Sequence, residues 1–233
     1  MSILSESEPV EEFAPFGIRA FTTTRASGSF GLASEEPAVQ VMKRWRQLRE
    51  ELHPGGARLA SATQVHGTTV IVHNARWNGW LRADEADGHV STDRGLALVV
   101  TVADCVPVFI AHPSGAAAIL HSGWRGTAGR IIEHGIDALA QRGYATAELR
   151  VHLGPAICGK CYEVGADVYR QLTGRESTGA KACIDLRSII AGHARAAGVR
   201  HVTISPFCTR CDNDRFYSHR AGDAGRQIGV IFA

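Results

Sequence analysis

No apolar run in the 233-residue chain reaches the roughly 20 residues that a membrane-spanning helix needs. The charges almost balance, at +2, so the chain lacks the basic field of a nucleic-acid-binding protein. Its first twelve residues lack the basic-then-apolar order of a signal peptide. We therefore expect a cytoplasmic protein that binds neither membrane nor nucleic acid. Its six cysteines are expected to be thiols or metal ligands.

The apolar pattern predicts a mixed α/β (α+β) fold in one domain. Residues 96–101, 106–111 and 116–120 are short apolar runs, which are typical of strands buried on both faces. Helical spacing predicts helices over residues 37–52, 126–143, 162–172 and 184–197. Residues 77–88 are predicted as a loop, as are the Gly/Ser-rich residues 26–36. The domain is expected over residues 14–233, preceded by a solvated, flexible tail at residues 1–13.

Three potential metal ligands lie beside the apolar segments. His66, Cys105 and His121 are each flanked by small or polar residues, and two imidazoles with one thiolate match the three-ligand set of a catalytic zinc site. Such a site leaves a fourth position for water or substrate. The intervals of 39 and 16 positions do not match a zinc finger, and each residue alone is compatible with an ordinary packing role.

Zinc is favoured over copper at such a site. Two histidines and a cysteine also form the core of a blue-copper site, which adds an axial methionine. Only Met42 is available for that role apart from the initial Met1. A multicopper oxidase further needs a histidine-rich second cluster, and the sequence contains no His-x-His pair.

Two further motifs leave several interpretations open. Cys158 and Cys161 form one Cys-x-x-Cys pair, and Cys208 and Cys211 form another, 47 positions later. These pairs could bind a structural zinc, act as redox pairs, or serve only local packing. Separately, Arg125 lies in a glycine-flanked strand-to-helix turn, where it could pair with phosphate or instead brace the turn.

Taken together, the ordered motifs resemble those of the bacterial laccase-domain family, also called multicopper polyphenol oxidase-like. From residue 64 onward they are Gln-Val-His-Gly (64–67), Ala-Asp-Gly (86–88), Ala-Asp-Cys-Val-Pro-Val (103–108), His-Ser-Gly-Trp-Arg-Gly (121–126), Gly-Pro-Ala-Ile (154–157), Cys-Tyr-Glu-Val (161–164), Cys-Thr (208–209) and Phe-Tyr-Ser-His-Arg (216–220). The resemblance implies the family's single-domain fold, also described as a cysteine-hydrolase fold.

By resemblance, the family's metal ligands fall on His66, Cys105 and His121, and its Gly-Trp-Arg-Gly arginine falls on Arg125. These four are the predicted catalytic residues. The resemblance implies a zinc-dependent purine nucleoside phosphorylase, acting on adenosine, inosine and methylthioadenosine, with adenosine deaminase activity. Its partners would be a nucleoside and phosphate, in a monomer or homodimer. The predicted substrate-binding residues are Arg25, Gln64, Asp104, Tyr162 and Arg215, and Asp87 or Asp104 is the candidate proton carrier.

Three alternatives stay open at this point. The older family name implies a copper-dependent polyphenol oxidase (laccase). Cys105 beside a histidine would suit a cysteine-dependent hydrolase with a role in peptidoglycan editing. A non-enzymatic binding module stabilised by zinc is the third. Metal content, together with activity on adenosine after chelation and readdition of the metal, separates all of these from the nucleoside enzyme.

Overall fold

The three apolar runs lie at the centre of the molecule. In the computed structural model, which describes residues 2–32, 36–74 and 76–233, they form strands that are almost wholly buried. The described strands are β1 (Ser7–Pro9), β2 (Arg19–Thr23), β3 (Arg58–Ala62), β4 (Val70–His73), β5 (Trp80–Ala83), β6 (Gly88–Ser91), β7 (Leu96–Val102), β8 (Val106–Ala111), β9 (Ala117–Ser122), β10 (Arg150–Leu153), β11 (Glu163–Gly165), β12 (Lys181–Cys183), β13 (His201–Ile204) and β14 (Gln227–Phe232). The described helices are α1 (Ala38–Leu52), α2 (Trp124–Ala128), α3 (Ile131–Ala140), α4 (Ala166–Thr173) and α5 (Leu186–Ala196).

Two six-stranded mixed sheets face each other. Their strand orders are β1-β2-β14-β7-β3-β5 and β13-β10-β8-β9-β6-β4. One hydrophobic cluster joins them, because Leu98 of β7 belongs to the same buried group as Phe109 of β8 and Ile119 of β9. Helix α1 covers the outer face of the first sheet, and α3 and α5 cover that of the second. The single mixed α+β domain predicted from the sequence is thereby confirmed.

The packing of two sheets between outer helices explains the pattern of apolar residues in the sequence. Strands β7, β8 and β9 have apolar neighbours on both faces, so their residues do not alternate between apolar and polar. Helix α1 buries one face only, through Val41, Trp45, Leu48 and Leu52 at spacings of three and four residues. None of the described helices has the length and apolarity to cross a bilayer.

Residues 2–13 correct the prediction of a solvated, flexible tail. Strand β1 pairs antiparallel with β2, and Ile3 and Phe13 are 3% and 0% exposed. Glu51 of α1 accepts hydrogen bonds from the backbone N–H groups of Ile3 and Leu4. The acidic composition suggested solvation, but Ile3, Val10 and Phe13 are buried. The domain therefore includes these residues.

Other local predictions also needed correction. The single helix predicted over residues 126–143 is divided into α2 and α3, because Arg130 adopts a left-handed conformation (φ 58°). The predicted loop over residues 77–88 contains β5, and the helix predicted from residue 162 begins only at Ala166, after β11. Part of the predicted loop at 26–36, residues 33–35, lies outside the described residues.

Candidate metal centre and active site

His66, Cys105 and His121 converge on one point. His66 lies between β3 and β4, Cys105 occupies the turn from β7 to β8, and His121 lies near the end of β9. Pairing of β8 with β9 places Pro107 opposite His121, which brings the turn that carries Cys105 close to that histidine. The ligand atoms of the three residues all lie within 4.8 Å of one another. The sequence-predicted ligands are therefore close enough to bind one metal ion.

Asp87 positions two of these ligands. Its carboxylate accepts the His121 Nδ1–H at 2.7 Å and the backbone N–H groups of Val65, His66 and Gly67 at 3.2, 3.0 and 2.7 Å. Because Nδ1 is engaged with this carboxylate, Nε2 is the ring nitrogen of His121 that is available to a metal ion. The backbone bonds hold His66 in a left-handed conformation (φ 61°), which is uncommon for a residue with a side chain. This makes Asp87 a positioning residue, and its four hydrogen bonds argue against the proton-carrier role.

The chain itself favours an ionised Cys105. Burial raises the pKa of this thiol, but the charge of His121 and hydrogen bonds from both histidines outweigh burial and lower the pKa to about 6. Burial likewise lowers the pKa of His121, whereas the Cys105 charge and the Asp87 hydrogen bond raise it to about 9. Thiolate is the form of cysteine that binds a metal. Metal binding would displace the proton from His121, since only neutral imidazole is a ligand.

The absence of a side chain at Gly123 leaves room for the side chains of Cys105 and His66. A Cβ at this position would lie 2.9 Å from Cys105 Sγ and 3.2 Å from His66 Cδ2. The backbone after β9 therefore passes directly against both side chains. Small residues in the His-Ser-Gly-Trp-Arg-Gly motif serve this close approach.

The ligands open into a cavity of about 400 Å³, a size suited to a small molecule. Trp80 lines it and stacks on Trp45 with ring centroids 4.4 Å apart. Arg82 also lines it, and its guanidinium forms no ion pair or hydrogen bond with a described residue. Sequence reasoning missed all three as site residues, because α1 and β5 meet the metal ligands only in the folded chain. His219 and Arg226 also line the cavity, and His219 belongs to the Phe-Tyr-Ser-His-Arg motif.

The donor set fits a transition metal. Two imidazoles and a thiolate favour zinc or copper over magnesium or calcium. The carboxylate on His121 is the usual outer partner of a metal-bound histidine. Met42, the sequence's candidate for an axial copper ligand, is not among the described residues that line the cavity.

Three predicted substrate-binding residues lie at or beside this centre. Gln64 lines the cavity, but its amide forms hydrogen bonds with the backbone and hydroxyl of Thr101 at 2.7–2.8 Å. The Asp104 side chain accepts the Thr209 hydroxyl at 2.6 Å and the Arg220 N–H at 2.7 Å, so it fixes the turn that carries Cys105. Tyr162 lies beside Arg220, whose guanidinium carbon is 5.2 Å from the centre of the Tyr162 ring, and burial, together with the Cys105 charge, raises the pKa of the Tyr162 hydroxyl.

The predicted arginines lie outside the described cavity lining. Arg25 pairs with Asp223 at 2.7 Å, and Arg215 pairs with Glu8. These contacts give no support to their predicted role in substrate binding. Arg125 is exposed, lies over the Trp124 ring at 4.4 Å, and forms no ion pair with a described residue. Its guanidinium is therefore accessible, and the carboxylate that would brace the turn is not found in the described part of the chain.

Comparisons with known proteins agree with the motif pattern. Residues 20–233 match the family model described as multi-copper polyphenol oxidoreductase laccase. A Streptomyces coelicolor protein named purine nucleoside phosphorylase is 35% identical over 209 residues, covering 87% of this chain and 86% of that protein. A protein named adenosine deaminase RL5, from an unknown prokaryotic organism, is 30% identical and covers 88% of each chain. The crystal structure of YlmD from Geobacillus stearothermophilus has a TM-score of 0.84 at 28% identity, covering 94% of this chain and 93% of that one.

Proposed function

The chain belongs to the multi-copper polyphenol oxidoreductase laccase family, and we propose that it is a metal-dependent enzyme acting on purine nucleosides. Two proteins to which it is similar are named purine nucleoside phosphorylase and adenosine deaminase. The proposed reaction is zinc-dependent phosphorolysis of inosine and adenosine, with deamination of adenosine as a second activity. One observation carries this proposal. The His66, Cys105 and His121 ligand atoms lie within 4.8 Å of one another at a cavity of nucleoside size.

The cavity provides distinct surfaces for the two substrates. An indole face such as that of Trp80 can stack on a purine ring, which every purine nucleoside presents. In phosphorolysis, a phosphate oxygen bonds to ribose C1′ while the C1′–N9 bond breaks, and the leaving base takes up a proton. The unpaired Arg82 guanidinium in the same cavity can hold the phosphate beside the ribose. Zinc bound by the three ligands would supply a Lewis acid and lower the pKa of a bound water for deamination.

A cysteine-dependent hydrolase is the second candidate, and a specific geometry favours it. Cys105, His121 and Asp87 form a consecutive chain of interactions, with the thiol of lowered pKa beside the imidazole and the imidazole bonded to the carboxylate at 2.7 Å. This is the order of nucleophile, base and orienting group in thiol hydrolases. The two candidate functions differ in whether turnover requires a metal ion, because a thiol nucleophile needs none.

Chelation should therefore decide between them. We expect protein stripped of metal to lose inosine and adenosine turnover, and stoichiometric zinc to restore it, since the proposed chemistry needs the ion. Product analysis should show ribose 1-phosphate only when phosphate is present. Zinc content and nucleoside products are measured on the same samples.

Retained turnover after complete chelation, together with its loss on alkylation of Cys105, would favour the thiol hydrolase instead. Robust oxygen-dependent phenol oxidation with several coppers bound per chain would favour the laccase. Full zinc occupancy without turnover of any nucleoside would favour the non-enzymatic binding module stabilised by zinc.

The phosphate site is tested by two matched arginine substitutions. Arg82 lines the cavity and Arg125 lies outside its described lining, although the sequence motif favours Arg125. Lysine keeps the charge but loses the paired N–H groups of the guanidinium. Loss of one charge-assisted hydrogen bond costs about 1.5–3 kcal/mol. We expect Arg82→Lys to raise the phosphate concentration for half-maximal inosine cleavage by about tenfold or more, with zinc content and melting temperature unchanged.

Arg125→Lys serves as the control in the same measurement, and we expect its phosphate dependence to match that of the wild type. The reverse pattern, with only Arg125→Lys impaired, would assign the phosphate to Arg125, as the motif predicts. If neither substitution changes the phosphate dependence, neither arginine binds this substrate.

A further inference from the structure

Four cysteines form a thiol cluster that is separate from the proposed catalytic ligands. The Sγ atoms of Cys158, Cys161, Cys208 and Cys211 all lie within 4.8 Å of one another, and those of Cys161 and Cys211 are 3.4 Å apart. All four are free thiols. They come from two Cys-x-x-Cys turns whose nearest members are 47 positions apart in the sequence. The proposed nucleoside chemistry does not account for this convergence.

The two turns are held together by backbone contacts. Ala156 and Cys208 form an isolated parallel β-bridge, and the Thr209 N–H donates to the Ala156 carbonyl at 3.2 Å. In the second turn, the Asp212 N–H donates to the Cys208 carbonyl at 2.8 Å, while the Asp212 carboxylate accepts the Cys208 N–H at 2.8 Å. In the first turn, the Cys161 N–H donates to the Cys158 carbonyl at 3.0 Å. The arrangement of the thiols is thus built by the fold itself.

Backbone donors also point at sulfur. The N–H groups of Cys158 and Cys211 donate to Cys208 Sγ at 3.2 and 3.4 Å. A metal binds cysteine as the thiolate. Cys208 is buried, and four neighbouring thiolates without a cation would repel one another. The arrangement therefore suits a cation at the centre of the four sulfurs.

We propose that Cys158, Cys161, Cys208 and Cys211 bind one structural zinc ion. Tetrahedral zinc with Zn–S bonds of about 2.3 Å separates its sulfurs by about 3.8 Å. The observed sulfurs, 3.4 Å apart at one pair and within 4.8 Å overall, reach this geometry by small side-chain rotations. Four thiolates leave no open position for substrate, which distinguishes a structural zinc from a catalytic one.

The ion would connect two segments that flank the catalytic cysteine. Thr209, inside the second turn, donates its hydroxyl to Asp104 at 2.6 Å, and Asp104 immediately precedes Cys105. Ile157, which directly precedes the first turn, donates its N–H to the Asp104 carbonyl at 3.1 Å. A zinc ion at the four cysteines would hold both segments in place. This proposal concerns structure and does not depend on the nucleoside chemistry.

Zinc stoichiometry of the full-length chain tests the proposal. Protein is reduced, loaded with zinc, freed of excess metal and assayed by mass spectrometry for metal and by thiol counting. We expect about two zinc ions per wild-type chain and about one in the Cys161→Ser/Cys211→Ser double variant. Cys105→Ala, which retains all four cysteines, should also hold about one. Cys183→Ser alters an exposed thiol outside both clusters and should hold two.

The Cys105→Ala variant keeps the test decisive if the double variant does not fold. Its remaining zinc should be released by a mercurial that reacts with thiols, and its melting temperature should fall when the ion is removed, because bound metal stabilises the folded state. Absence of zinc from reduced Cys105→Ala would overturn the proposal. So would iron in place of zinc after expression with both metals, or a Cys161–Cys211 disulfide that persists in the reduced protein.

Discussion

Replacing Cys105 with alanine is expected to abolish zinc binding at the proposed catalytic centre and to lower the rate of nucleoside turnover by about a thousand-fold or more. The thiolate is the charged ligand of the three, and its pKa of about 6 makes it available at neutral pH. Metal-ion catalysis contributes several kcal/mol of transition-state stabilisation, and about 4 kcal/mol corresponds to a thousand-fold in rate. The measurements are zinc content and inosine cleavage at saturating phosphate, compared with the wild type.

Cys183→Ser is the matched control, because it removes a thiol that belongs to neither ligand group. It should keep wild-type zinc content and turnover. If Cys105→Ala also kept both, Cys105 would be neither a ligand nor a nucleophile, and the assignment of the catalytic centre would be wrong.

Substitution of Asp87 by asparagine should have the second-largest effect, although Asp87 is not predicted to touch the metal or the substrate. An amide has one acceptor oxygen, and its NH₂ group would face backbone N–H donors now held at 2.7–3.2 Å. Both His66 and His121 would lose their orientation. Loss of such an outer partner lowers metal affinity by about 10–100-fold. We expect this loss of zinc affinity and a fall in turnover of about a hundred-fold, measured by competition with a chelator and by inosine cleavage.

Asp223→Asn provides the comparison for Asp87→Asn. Asp223 also accepts hydrogen bonds from a backbone N–H and from side chains, at 2.7–2.8 Å, but its partners are Ser218, Arg25 and Asn213. We expect this variant to lose stability without losing zinc affinity. Equal zinc affinity in Asp87→Asn and the wild type would show that the carboxylate does not organise the ligands.

The sequence predicted the buried framework well because burial on two faces leaves a clear signature. Strands β7, β8 and β9 are continuous apolar runs, and α1 has regular helical spacing. Strands β3, β5 and β6 were missed because they include small, charged or buried polar residues, such as Ser61, Arg82 and His89. The hydrogen bond between His73 and His89, at 2.9 Å inside the second sheet, has no counterpart in a residue-by-residue pattern.

The candidate site was predictable to the level of its ligands and no further. His66, Cys105 and His121 are chemically distinctive and lie beside apolar segments, so residue type and position identified them. The orientation of His66 and His121 by Asp87 depends on the pairing register between β6 and β9, which exists only in the folded sheet. The aromatic wall of the cavity depends on α1 packing over β5, and proximity of the two Cys-x-x-Cys turns depends on one β-bridge.

The position of β14 has a consequence for how the chain folds. This strand lies between β2 and β7, so the first sheet cannot close until residues about 200 positions apart in the sequence meet, as in the bond from the Ile228 N–H to the Thr23 hydroxyl. Such distant pairing makes folding slow, because the entropy of a long loop is lost before the contacts form. Until β14 inserts, β2 and β7 present unpaired edges, and aggregation competes with folding in that interval.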